Sequence, residues 1–237
     1  MGSAVIICAG DFPRREYPRY LLESADLVVC CDSAFSRYLR FCKGNLPESL
    51  VIIGDMDSLP AALQKKYASH IIRISEQDDN DQTKAVRYIL AEHPEIDTIH
   101  ILGATGRRED HTLGNLSLLM EYARTILAGR PADKPIGPEE APVVPENGQR
   151  SDVRIEIVSD YSTAFALTDT ADLFVGEGRP VSIFSPDNSL RIVSEGLQWP
   201  TDNVVFDNWW KATLNRATSD RIRLRFSHPS IALVILG

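Results

Sequence analysis

The sequence predicts an α/β protein: an N-terminal Rossmann-like domain on a parallel sheet, then a small C-terminal antiparallel β-sandwich. Three observations carry this. Through the first half of the chain, short continuously apolar runs alternate with amphipathic segments, the pattern of strands covered on both faces. In the last 70 or so residues helix patterns are missing, and short strand-like runs separated by turn residues take their place. Between them, residues 129–150 are rich in Pro, Gly, Glu and Ala and read as a mobile surface insertion. The domains are therefore expected at 1–168 and 169–237.

In order, Ala4–Ala9, Leu27–Cys31, Leu50–Ile53, Ile71–Ile74 and Thr98–Leu102 read as strands one to five. The helix patterns are Ala34–Cys42, Pro60–Ser69, Asp81–Glu92 and Asp110–Leu127. Val153–Val158 and Ala164–Leu167 complete the first domain. In the second, Val181–Phe184, Leu190–Val193, Asn203–Phe206, Arg221–Phe226 and Ile231–Leu236 read as strands. Arg221–Phe226 alternates basic with apolar residues, as a half-exposed strand does.

The 237 residues, 43% of them hydrophobic, suffice for a real core. A net charge of −8 speaks against a nucleic-acid binder, which needs a basic face. It leaves room for a small anionic substrate whose charge a metal offsets. The N-terminal residues lack a signal-peptide pattern, and no run approaches the roughly 18 apolar residues of a membrane span. Cys8, Cys30, Cys31 and Cys42 form no metal-binding pair pattern. They read as reduced thiols of a cytoplasmic protein without nucleic-acid or membrane partners.

Chemistry is expected where strands end, because open parallel sheets bind ligands beyond their carboxyl edge. Strand one ends in Ala9-Gly10-Asp11 and strand two in Asp32-Ser33. Strand three ends in Gly54-Asp55-Met56-Asp57-Ser58, and strand four runs into Glu76-Gln77-Asp78-Asp79-Asn80-Asp81-Gln82-Thr83-Lys84. Strand five ends in Gly103-Ala104-Thr105-Gly106-Arg107-Arg108-Glu109-Asp110-His111. One acidic turn usually caps the next helix. Carboxylates gathered on one sheet edge repel one another, and a divalent cation such as magnesium resolves the conflict. Asp55 and Asp57, two apart, can reach one ion, though Asp57 also fits as a cap for the helix near Pro60. Asp81 suits the N-cap of its helix by residue type. Lys84 is unfavourable in the first turn, a hint that its charge serves a ligand. The Gly103–Gly106 turn and Arg108 suit phosphate oxygens but form no Walker A loop.

The ordered set Asp32, Gly54-Asp55-x-Asp57-Ser58, Gln77-Asp78-x-x-Asp81-x-Thr83-Lys84, Gly103-Ala104-x-Gly106-x-Arg108-x-Asp110-His111 and Gly196-Leu197-x-Trp199 resembles the thiamine pyrophosphokinase family. The resemblance implies magnesium-dependent transfer of the β- and γ-phosphates of ATP, together, to the thiamine hydroxyl, giving thiamine diphosphate and AMP. It implies a homodimer with sites between subunits. By resemblance, Asp55, Asp57, Asp81, Arg108 and Asp110 are catalytic, and Asp55, Asp57 and Asp81 hold the metal. ATP and its phosphates would meet Asp32, Ser33, Gly54, Thr83, Lys84, Gly103, Thr105, Gly106 and Arg108. Thiamine would meet Gln77, Asp78, Trp199 and Asn215. Trp199 would stack on thiamine, with a place in the sandwich core as the alternative. Three positions depart from the family pattern: Ser33-Ala34 and Arg107 stand where glycine is common, and Leu214-Asn215 where a Ser-Asn pair is common. Trp209-Trp210 is expected on a strand, one ring buried and one left for a partner subunit, or else in a loop.

Overall fold

The computed structural model describes residues 2–127 and 153–237; the expected insertion at 129–150 lies outside them. Contacts divide the chain into two units, Met1–Leu116 with Asp152–Asp160 and Ser117–Ser151 with Tyr161–Gly237.

The first unit holds six parallel strands: β1 (Gly2–Ile7), β2 (Leu27–Cys31), β3 (Leu50–Gly54), β4 (Ile71–Arg73), β5 (Ile96–Leu102) and β6 (Arg154–Val158). They lie in the order β6-β5-β1-β2-β3-β4. The chain thus runs outward from β1 to β4, then crosses back to add β5 on the far side of β1. That reversal makes β1 the switch point, where the loops after the strands splay and leave a crevice. The strands earn their burial through composition: Ala4–Ile7 are fully buried, as are Val29, Cys30, Ile52 and Ile53.

Helices α1 (Glu16–Ser24) and α2 (Phe35–Phe41) supply Leu21, Leu22, Phe35 and Tyr38 to one core with Val5, Ile7, Val28, Cys30, Leu50 and Ile52. α3 (Ala61–Lys66) is short. α4 (Asp81–Glu92) packs Ala85, Val86 and Ile89 inward and touches β1, β2, β3 and β5. α5 (Glu109–Glu121) passes into a π-helical turn, Tyr122–Leu127. No helix among the described residues is long and apolar enough to cross a membrane. Cys8, Cys30, Cys31 and Cys42 are free thiols.

Helix α1 is not among the helices expected from sequence. Its N-cap, Arg15, makes no side-chain cap bond. The cap comes from far along the chain: the Asp160 carboxylate accepts the Arg14 and Arg15 amides, both at 2.9 Å. Pro18 sits in the first turn, where its missing N–H costs nothing.

In the second unit β7 (Thr163–Leu167), β9 (Pro180–Phe184), β11 (Ala212–Arg216) and β13 (Ala232–Leu236) form an antiparallel sheet in the order β11-β9-β13-β7. β8 (Ala171–Phe174), β10 (Ile192–Glu195) and β12 (Arg221–Phe226) form a second sheet in the order β10-β12-β8. Val181, Ile183, Ala232 and Val234 of the first sheet share one core with Ile192, Ile222, Leu224 and Phe226 of the second, so the unit is a sandwich. β12 alternates exposed arginines with buried apolar residues along its length. β7, expected with the first domain from sequence, pairs along β13.

Two strand expectations need correction. Asn203–Phe206 is not a strand; the segment turns, with the Val204 amide on the Thr201 carbonyl at 2.9 Å, and Phe206 fills the core from a loop. Trp209 and Trp210 also lie in a turn, and both are more than half exposed. Conversely, β8 and β11 add to the strands expected. β11 carries a register break between Ala212 and Asn215, with Leu214 at φ 58° and projecting outward.

The turns of the sandwich are tied by Asp187. It is buried. Its Oδ1 accepts the Ser189 hydroxyl at 2.6 Å and the Ser189 amide at 2.8 Å. Its Oδ2 accepts the Ser230 hydroxyl at 2.7 Å and lies 3.0 Å from His228 Nε2. Burial opposes ionisation, but these donors outweigh it and hold the carboxyl at about 2. A carboxyl depressed in the folded state stabilises fully above its unfolded value of about 3.9 and ceases to do so as pH falls toward 2. Asp187→Ala is expected to cost roughly 2–4 kcal/mol at pH 7, leaving several donors unpaired. Urea midpoints checked from pH 7 to pH 2 should converge for the two proteins at the acid end; a constant gap would assign the loss to packing alone.

Candidate functional site

The loops after β1 to β4 and the starts of α4 and α5 enclose a cavity of about 380 Å³. Asp32, Asp55, Asp57, Gln77, Asp81 and Lys84 line it.

Asp32, Asp55 and Asp57 each offer one oxygen within 4.8 Å of the others. Asp32 follows β2 at φ 39°, a conformation non-glycine residues seldom adopt. The twist turns its carboxylate inward. Oδ2 accepts the Ser58 amide at 3.1 Å, while Oδ1 is buried and has no hydrogen-bond partner among the described residues. Burial pushes the carboxyl up to about 6, with Asp81 and Asp57 adding repulsion against the Ser58 bond.

Asp55 is held on both oxygens. Gln77 donates Nε2 to Oδ2 at 2.9 Å, and the Asp57 amide donates to Oδ1 at 3.0 Å. These bonds, Gln77 first, lower its carboxyl below the ordinary range. Arg73 donates to the Asp55 carbonyl at 2.6 Å, fixing the turn from β4. Asp57 is exposed and accepts the Ser58 hydroxyl at 2.8 Å. It does not cap α3, whose N-cap is Pro60.

Asp81 is not the cap of α4 either. Asn80 is, accepting the Thr83 amide at 2.9 Å. Freed from capping, Asp81 sits in the first turn facing the cavity. Gly54 makes room for it: φ is 145°, and a Cβ there would lie 3.1 Å from both Asp81 carboxylate oxygens and 3.2 Å from the Asp32 Cβ. Burial raises the Asp81 carboxyl, Lys84 opposes this, and Asp55 and Asp57 raise it further. Lys84 is buried, with Nζ 3.7 Å from Asp81, 3.8 Å from Glu76 and 3.3 Å from the Ile74 carbonyl. The first-turn lysine that misfits its helix therefore lies among carboxylates.

Ser33 and Asp79 also line the cavity, and Thr83 is buried and not among its lining residues. Asp78 does not line it: its amide is bonded to Glu76 at 2.9 Å and its side chain is exposed. The Gly103–Gly106 turn is joined to the loop after β1. Gly10 donates to the Gly103 carbonyl at 2.7 Å and Asp11 to the Thr105 carbonyl at 2.8 Å. The Gly106 amide is engaged by the Thr112 hydroxyl at 3.2 Å. Arg108 is exposed and forks onto Asp110, with Nε 3.0 Å from Oδ1, which holds the Asp110 carboxyl at about 2. Among residues not singled out from sequence, Cys8, Cys31, Gln82 and Asn115 line the cavity.

In the β unit, Trp199 is 55% exposed, which removes it from the core. Asn215 is buried and clasps its backbone: Oδ1 accepts the Trp199 amide at 3.1 Å and Nδ2 donates to the Trp199 carbonyl at 2.6 Å. Asn215 thus holds the segment that carries the tryptophan.

Residues 18–128 match the family model described as thiamin pyrophosphokinase, catalytic domain, and residues 164–231 match thiamin pyrophosphokinase, substrate-binding domain. The chain is 25% identical over 229 residues to thiamine pyrophosphokinase 1 of Oryza sativa subsp. japonica, covering 84% of this chain and 74% of that protein. It is 35% identical over 86 residues to thiamine pyrophosphokinase of Bacillus subtilis (strain 168), 34% of this chain and 39% of that one. Among solved structures, yeast thiamin pyrophosphokinase superposes with a TM-score of 0.71 at 16% identity, covering 100% of this chain and 86% of the other. The Bacillus subtilis enzyme superposes at 0.70 and 18% identity, covering 99% and 98%.

Proposed function

The chain belongs to the thiamin pyrophosphokinase family, and on that premise we propose that it transfers diphosphate from ATP to the hydroxyl of thiamine at the acidic cavity of its α/β unit. The observation that carries the reading is the unpartnered buried Oδ1 of Asp32 beside Asp55 and Asp57. A trio of oxygen donors around an unsatisfied acceptor fits magnesium, and Asp32, Asp55 and Asp57 would hold it. When bound, the ion neutralises phosphate charge and orients the polyphosphate.

The chain's own groups divide the remaining work. Gln77 and the Asp57 amide aim Asp55. Lys84 offers a buried positive charge to phosphate oxygens. Asp81, raised by burial, is a base suited to the hydroxyl proton of thiamine as that oxygen attacks the β-phosphorus. The bond from the β-phosphorus to the oxygen bridging it to the α-phosphate breaks, and AMP leaves. Such transfers depend on alignment and charge more than on a reactive side chain. Arg108 would release Asp110 to meet the polyphosphate. The β unit would bind thiamine through Trp199, and the same unit, with Trp209 and Trp210 exposed, would join two copies in a cytoplasmic homodimer. Incubation with ATP, magnesium and thiamine should yield AMP and thiamine diphosphate in equal amounts. Formation of ADP, or transfer only to another acceptor, would overturn the reading.

Cation binding should weaken as pH falls through about 6, because a proton on Asp32 competes for the same oxygens. Manganese binding to the protein alone, titrated between pH 5 and 8, checks this, and pH-independent affinity would exclude Asp32 as a ligand. Trp199→Ala is expected to raise KM for thiamine with little change for ATP. Loss of stacking on a cationic ring, about 1–2 kcal/mol, corresponds to roughly a five- to thirtyfold effect. Trp199→Phe should recover part of it, and unchanged KM in the folded alanine variant would place the acceptor elsewhere.

A further inference from the structure

One residue touches both halves of the α/β unit's chemistry. Asn115, half-buried on α5, donates Nδ2 to the Ala104 carbonyl at 2.7 Å. Its Oδ1 faces the amide of Asn80 at 3.4 Å, and its main-chain carbonyl faces Gln82 Nε2 at 3.4 Å. Ala104 belongs to the glycine turn after β5. Asn80 is the cap of α4, and its other amide atom, Oδ1, holds the Thr83 amide. Asp81 and Gln82 follow directly. Gln82 is buried, and its Oε1 lies 3.8 Å from Cys8 Sγ at the cavity floor.

We propose that Asn115 is a positioning residue that couples the Gly103–Gly106 turn to the acidic cavity, so that a nucleotide polyphosphate lying on the turn and a divalent cation held by the aspartates are brought into register. This rests on the function proposed above. The physical reason lies in the two-sided amide. An amide donates and accepts at once, so one side chain can fix a carbonyl on one loop and a donor on another. Donating to Ala104 orients Oδ1 toward Asn80, and Asn80 thereby keeps its own oxygen on the Thr83 amide. Movement of the turn when phosphate binds is passed to the first turn of α4, where Asp81 stands. Coupling of this kind is a free energy shared between two ligands and is the same read from either side.

The test measures that coupling directly. A non-hydrolysable ATP analogue is titrated with and without manganese into the intact protein and into Asn115→Asp, Asn115→Ala and Asn80→Ser. Asn115→Asp keeps an acceptor for Asn80 but cannot donate to Ala104. Asn80→Ser keeps a good N-cap while deleting the amide that meets Asn115, so it remains informative if an Asn115 variant fails to fold. In the intact protein manganese should tighten the analogue. In each variant that enhancement should fall about tenfold, while in Asn115→Ala and Asn80→Ser manganese binding without nucleotide stays as it was. In turnover, kcat should fall more than KM for thiamine changes. Equal enhancement in the intact protein and in Asn80→Ser and the folded Asn115 variants would overturn the inference and leave the proposed function standing. No analogue binding by the intact protein would overturn both.

Discussion

Asp55→Asn is expected to lower turnover by about a hundredfold or more and to raise the magnesium concentration needed for half-maximal activity. Asparagine keeps the shape of the side chain. Its Oδ1 can still accept the Asp57 amide, so the turn after β3 keeps one of its two side-chain anchors. The second anchor weakens, because a side-chain NH₂ would face the amide of Gln77 where a carboxylate oxygen accepted it. The charge is lost entirely, at one of the three positions whose carboxylate oxygens gather within 4.8 Å. Folding should not suffer. Asp55 repels Asp81, and removing one charge from a repulsive group relieves strain. Manganese binding to the free protein separates loss of the ion from loss of chemistry. A folded Asp55→Asn variant with full activity at limiting magnesium would show that Asp55 holds no metal.

Gly10→Ala should destabilise the protein more than any surface change. A Cβ at this position would lie 2.3 Å from the Thr105 carbonyl oxygen and 2.4 Å from that of Gly103. Both obstacles are backbone, so no side chain can swing aside. The loop after β1 would have to part from the loop after β5, losing the Gly10 and Asp11 amide bonds. Overpacking together with two broken hydrogen bonds amounts to roughly 3–5 kcal/mol. Gly114 provides the control. It lies inside α5, and a Cβ added there would meet nothing within 4 Å among the described residues, so Gly114→Ala should be neutral or stabilise by roughly 0.5–1 kcal/mol. Urea midpoints of the two variants check both. A Gly10→Ala protein as stable as the parent would mean that the two loops part at little cost.

What could be read from the sequence, and what could not, follows how far each signal reaches along the chain. Buried parallel strands announce themselves locally, and Leu27–Cys31 ends where expected. α4 spans Asp81–Glu92 as its pattern requires, yet residue type misled at its start, since Asn80 and Asp81 are both good caps and only backbone geometry chooses between them. α1 was illegible because its cap is Asp160, contributed from the far end of the unit. β11 was illegible because a bulge throws Leu214 outward and breaks the alternation by which strands are recognised. At the site, the aspartates were legible as repeated acidic strand ends. The place of Asp32 in the carboxylate trio was not, because it depends on a positive φ that sequence does not reveal. Asn115 was hidden for another reason: its partners, Asn80 and the Ala104 carbonyl, are distant in the chain.

Asn215 grips residue 199 by its amide and carbonyl, not by its indole. Side-chain identity there is consequently separable from loop shape. A combinatorial library at position 199, built on an intact Asn215, would sample different ring faces, charges and sizes on one unchanged backbone. With Trp199 in its proposed role against the acceptor, acceptor range would become an evolvable property at that single codon, whereas a change at Asn215 would shift every such variant together.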